Sequence, residues 1–193
     1  DVFFGDLFKI KAQDYRESYD DEHIDMFRED LYKLVDKTES IKELLAYEGE
    51  IWMKFYSMFQ YFINEDFVLN KRVKRPPDNM INTMISFLHT LVYTACLSEI
   101  YVSQLNPTIS YLHSVGDRRF SLSLDLAEIF KPLLADRVIF SLLNKKMITE
   151  KDFAKDSNYF YMKEKAQKLI LKTFNERLET TIKHRDLGRS VSY

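Results

Sequence analysis

The sequence predicts an all-α fold, a single helical bundle domain. Hydrophobic residues make up 46% of the 193 positions, enough for one sizeable core. Only 4 Gly and 4 Pro interrupt the chain, and alternating β-branched runs are few. Apolar residues instead recur at helical spacing through most of its length. These observations divide the chain into a polar lead-in over 1–23, a helical domain over 24–185 and a mobile polar tail over 186–193.

The first helix is predicted from Ile24, on the spacing of Met26, Phe27, Leu31, Leu34 and Val35. A break near 37–40 offers Thr38 or Ser40 as the cap of a second helix, which runs to about Ile63. Residues 64–79 read as a loop, because Pro76 and Pro77 stop any helix before them, and Asp78 or Asn79 can cap the next. That next helix, about 80–104, is apolar on most sides and should be central in the bundle. Residues 122–145 read as a helix that Pro132 kinks or locally breaks. A loop over 146–161 carries a possible small hairpin at FAKDSNYFYM. A last helix over about 163–184 closes the domain.

The formal net charge of −2 rules out a uniformly basic nucleic-acid coat, so any DNA contact must be local. The densest positive cluster is Lys71, Arg72, Lys74 and Arg75. As an ordinary charge run it is a solvated surface; at a loop-to-helix junction it can also hold phosphates without reading bases. One cysteine, Cys96, excludes a disulfide framework or a Cys-based zinc site within one chain. A reducing cytoplasm fits. No signal-peptide pattern opens the sequence and polar residues interrupt every long apolar stretch, so no membrane association is expected.

The stretch from Asn106 to Arg137 carries the densest chemistry. His113 ends an apolar run, Arg118 and Arg119 follow in a Gly-containing turn, and Asp125 and Glu128 stand three residues apart. That spacing lets both carboxylates share a helix face. A histidine and two carboxylates on one point suit Mg²⁺ or Mn²⁺ better than a sulphur-rich zinc site. Glu48, in the second helix, reads on its own as a solvated glutamate. Gly49 beside it costs the helix about 1 kcal/mol relative to Ala, and such a glycine often marks a close approach by a backbone or a ligand.

Read together, the motifs are Glu48-Gly49; Arg75-x-Pro77 with Asn82 and Ile85-Ser86-Phe87; Asn106-Pro107 with Tyr111-Leu112-His113; and Ser121-Leu122-x-Leu124-Asp125-Leu126-Ala127-Glu128-Ile129-Phe130-Lys131-Pro132. In this order they resemble the catalytic, C-terminal helical domain of the CRISPR-associated adaptation integrase and endonuclease family. The family's N-terminal β-domain has no counterpart here, so the chain is expected to be a fragment. Two positions depart from the family's pattern: His89 stands where a tyrosine is usual, and Ser110 where glycine is usual. A lone His89 on an apolar helix is read as a core residue.

The resemblance implies a metal-dependent DNA endonuclease and integrase, in which a DNA 3′-hydroxyl attacks a backbone phosphate of the CRISPR array. It implies Glu48, His113 and Glu128 as ligands of Mg²⁺ or Mn²⁺, with Asp125 as a further acidic member, direct or through water. Lys71, Arg72, Lys74, Arg75, Arg118 and Arg119 are the expected DNA contacts. The implied partners are protospacer and array DNA, a second copy of the chain in a homodimer, and a small ferredoxin-like adaptation protein. Two readings from other classes stand beside it: a metal-independent HEPN-type ribonuclease built on Arg177 and His184, and a non-catalytic helical interaction module.

Overall fold

The structure is a computed structural model, and it describes residues 39–57, 59, 63, 66–113, 119–157, 159–183 and 190–192. The lead-in, the helix expected from Ile24 and Thr38 lie outside the described residues.

Helix α1 spans Ile41–Ser57. Ser40 starts it, its hydroxyl accepting the Glu43 amide. The helix stops six residues before the predicted Ile63, where the Ser57 hydroxyl donates to the Lys54 carbonyl and competes with the backbone ladder. Phe59 and Ile63 are buried nonetheless.

Helix α2, Met80–Val102, is the centre of the bundle, as its all-round apolar pattern predicts. Asn79 caps it, its side chain accepting the Asn82 amide at 2.8 Å. By length and composition α2 could cross a membrane. Here it is a core helix, with Ile81, Met84, Ile85, Leu88 and Val92 fully enclosed. Burial pushes the Cys96 thiol on this helix up to about 11, so it stays protonated.

Helix α3, Ser121–Lys131, packs against α2. Pro132 breaks the α-helical pattern as expected, but the chain stays helical: Pro132–Asp136 form a π turn, and α4 resumes over Arg137–Asn144. A π turn tolerates the missing proline N–H while keeping Leu134, Ile139 and Leu142 on the core side.

The fold is mostly helical but not all-α. Strands β1 (Phe153–Asp156) and β2 (Tyr159–Met162) form the predicted hairpin. It docks on the start of α2, where the Phe160 amide donates to the Pro77 carbonyl and the Thr83 hydroxyl donates to the Phe160 carbonyl. Helix α5, Glu164–Leu178, ends six residues before His184. The β-branched run Thr180-Thr181-Ile182 has weak helical preference, and β3 (Thr181–Lys183) pairs instead with β4 (Ser190–Ser192). The expected mobile tail thus contains a paired strand at 190–192, and residues 184–189 lie outside the described residues.

Candidate active site

The loop between α2 and α3 is built from the start of α3. The Leu122 amide donates to the Pro107 carbonyl and the Ser121 hydroxyl to the Thr108 carbonyl. One turn later Asp125 takes the backbone amides of Tyr111, Leu112 and His113 at 2.9, 3.0 and 3.2 Å. Its Oδ1 also lies 2.6 Å from His113 Nδ1. Burial pushes the Asp125 carboxyl up, but these backbone and imidazole hydrogen bonds outweigh it and hold it below its ordinary value. Ser110, at the family's glycine position, fits the turn: its hydroxyl donates to the His113 carbonyl, and its φ is not positive.

An ionised Asp125 can only accept, so the shared proton sits on His113 Nδ1, and Nε2 is the ring nitrogen that Asp125 does not engage. The Asp125 side chain is 1% exposed against 28% for His113. Asp125 therefore positions His113. Its oxygens are already committed to the backbone and the imidazole.

Glu128, one turn along α3, and Glu48, from α1, face the same place. The Glu48 carboxyl lies above its ordinary value, first through burial and then through the negative charge of Glu128; His113, Lys131 and a hydrogen bond from Trp52 oppose this. Three separated segments thus bring Glu48, His113 and Glu128 within electrostatic reach of one another. Trp52, which the sequence reading passed over, holds Glu48 from one turn away and stacks on Tyr56 at 5.4 Å. The i, i+4 spacing of Glu48 and Trp52 was the available signal.

Among the described residues no three His, Cys, Asp or Glu side chains stand at the spacing of a ready-made cation cage. The Lys131 ammonium is paired with the Glu128 carboxylate. The donor set nevertheless fits a hard divalent cation: two carboxylates that repel each other, and an imidazole with its far nitrogen fixed by a carboxylate.

Gly49 does not mark a close approach, since a Cβ there would meet nothing within 4 Å. Of the predicted cations, Lys74 and Arg75 are exposed and line a cleft of about 400 Å³ with Ser86, His89, Thr90 and Lys131. Arg72, also expected as a DNA contact, lines the same cleft and is tied into the loop by hydrogen bonds. Its guanidinium donates to the Val73 carbonyl, Asn82 Oδ1 and Ser86 Oγ. Asn82 completes this hub by accepting the Val73 amide and donating to the Lys71 carbonyl and Asp78.

Lys71 is exposed beside that hub, Arg119 lies over the Phe120 ring at 5.4 Å, and Arg118 lies outside the described residues. His89 is not a plain core residue. Burial, followed by the charges of Lys131, Arg72 and Lys74, holds its imidazole well below the ordinary value, so a neutral ring lines the cleft. Arg177, one half of the ribonuclease alternative, donates to the Leu133 carbonyl from the last turn of α5. The helix it would share with His184 ends at Leu178.

Residues 9–176 match the family described as CRISPR associated protein Cas1. The chain is 53% identical over 165 residues to the CRISPR-associated endonuclease Cas1 of Fusobacterium nucleatum, covering 86% of this chain and 49% of that relative. It is 50% identical over 173 residues to a CRISPR-associated endonuclease Cas1 of Thermodesulfovibrio yellowstonii, covering 90% and 53%. The chain thus spans about half the length of the curated relatives it matches. Among solved structures, a CAS1 protein from Thermotoga maritima superposes with a TM-score of 0.83 at 34% identity, covering 99% of this chain and 58% of that one. A casposase bound to integration product shares the fold, with a TM-score of 0.82 at 23% identity over 98% of this chain and 55% of that one.

Proposed function

This chain belongs to the Cas1 family, and from that premise we propose that it is the catalytic part of a DNA endonuclease and integrase of CRISPR adaptation that depends on a divalent cation. The observation that carries the reading is the hold of Asp125 on His113, whose imidazole acts electrostatically on Glu48 together with the opposing charge of Glu128. A solvated face has no cause to bury an aspartate for that purpose. This disfavours a plain interaction module, and the short α5 disfavours the ribonuclease reading.

The reaction is a transesterification. A DNA 3′-hydroxyl oxygen forms a new bond to phosphorus, the old phosphorus–oxygen bond breaks, and the departing oxygen takes up a proton. Glu48, Glu128 and His113 would hold Mg²⁺ or Mn²⁺, which when bound would supply charge neutralisation at the phosphoryl oxygens and make the attacking hydroxyl more acidic. Asp125 holds the imidazole through Nδ1, and a hydrogen bond from Trp52 favours the ionised form of Glu48. Lys74, Arg75 and Lys131 line the cleft in which a phosphate backbone would lie.

The reading extends to protospacer and array DNA as substrates, a homodimer, a small partner protein and a cytoplasmic setting. Two solved neighbours, described as Cas6-RT-Cas1--Cas2 complexes, share the fold at 17% and 16% identity.

The test is His113→Ala in the full-length protein, measured for strand transfer of a protospacer end into an array substrate and for melting temperature with and without Mn²⁺. The expected result is loss of strand transfer by about 10²-fold or more, with the fold retained and the Mn²⁺-dependent rise in melting temperature lost. A variant that melts lower yet still integrates DNA defeats the reading.

A further inference from the structure

Lys131 stands between two opposite fields. On one side its ammonium is paired with Glu128, in a contact where the two side chains are only 14% and 22% exposed. On the other it lines the cleft with Arg72, Lys74 and Arg75, and no carboxylate is among the residues that line that cleft. Partial burial makes such a pair stronger than a surface pair, so Glu128 is not a free ligand while the ammonium sits on it. A phosphate in the cleft competes for the same ammonium. The four-carbon stem of lysine allows that move by rotation alone.

We propose that Lys131 couples nucleic-acid binding to cation loading: a phosphodiester in the cleft draws the ammonium off Glu128, and the carboxylate so released becomes a ligand. Without nucleic acid, Lys131 serves as the resident counter-charge of the acidic centre. This inference rests on the reading of Glu48, His113 and Glu128 as cation ligands. Because coupling free energies are reciprocal, the cation must tighten DNA binding by the same factor.

The test is a Mn²⁺ titration of the full chain, following loss of the six-line electron paramagnetic resonance signal of free Mn²⁺. It is run with and without a short single-stranded oligothymidylate, and the oligonucleotide's own Mn²⁺ binding is subtracted. In the wild type the oligonucleotide should tighten Mn²⁺ binding by about fivefold or more. Lys131→Gln should bind Mn²⁺ more tightly than wild type without the oligonucleotide, and lose that enhancement. Lys131→Arg keeps the charge and should keep the enhancement.

A Lys131→Gln protein that retains the wild-type enhancement, or binds Mn²⁺ more weakly on its own, overturns the inference. So does loss of the enhancement in Lys131→Arg, which also decides the matter if the glutamine variant does not fold. Either result leaves the cation centre standing. Failure of the wild type to bind Mn²⁺ saturably with or without the oligonucleotide removes the centre itself, and the coupling with it.

Discussion

Glu48, half-buried, and Asp125, buried, show opposite uses of a carboxylate. Asp125 sits below its ordinary value because four donors surround it, and the stability it contributes is present above the unfolded-state value and lost as pH falls through the folded one. Glu48 sits above its ordinary value, so the folded state holds its proton more tightly than the unfolded state does. Its contribution to stability is present below the unfolded-state value and is lost as pH rises through the folded one. At neutral pH the ionised Glu48 therefore costs stability. Glu48→Gln should melt a few degrees higher than wild type at pH 7 without added metal, and the difference should shrink as pH falls through the folded-state value of Glu48. Melting curves over that range check it. An unchanged or lower melting point at pH 7 would show that the glutamate is stabilised where it stands. The same substitution should abolish strand transfer, a case of a site held at the expense of the fold.

At the scale of elements, the end of α4 carries a local strain. Lys146 follows the helix with φ of 53°, in the left-handed region where a Cβ is crowded, and its amide donates to the Leu143 carbonyl while that of Met147 reaches back to Leu142. Glycine is the usual residue at such a cap. Lys146→Gly should raise stability by up to about 1 kcal/mol in chemical unfolding, without effect on strand transfer. The helix starts at Ser40 and Asn79, the break at Pro132 and the hairpin after it were all legible in the sequence, because capping residues, proline and alternating aromatics act locally. The ends of α1 and α5 were not. The first predicted helix continued through apolar residues and stopped at a back-bonding serine, and the last ended where a β-branched run found a partner strand.

The whole molecule separates an acidic point from a basic cleft, although its net charge is only −2. The loop hub of Arg72 and Asn82 holds Lys74 and Arg75 at the cleft, beside Lys131 on α3. Replacing Lys74 and Arg75 together with Ala should weaken DNA binding about equally across sequences, and each lost phosphate contact should flatten the salt slope by roughly one unit. Binding isotherms at several salt concentrations and on unrelated sequences measure both. A loss confined to particular sequences would mean that these side chains read bases.

The sequence by itself determined the family, the helical majority and the central place of α2, and it named the candidate site residues, since motif order, apolar periodicity and caps are written along the chain. It could not assign their roles. Arg72 and Arg75 are both arginines in one basic run, and only packing decides that one is tied by hydrogen bonds into a loop hub at the cleft while the other stands exposed there. Asp125 and Glu128 share a helix face, yet one is enclosed by amides and an imidazole and the other is paired with Lys131. Those partners come from elements far apart or from rotamers along one turn. Burial and hydrogen-bond competition, which set a carboxylate's task, exist only once the chain has folded.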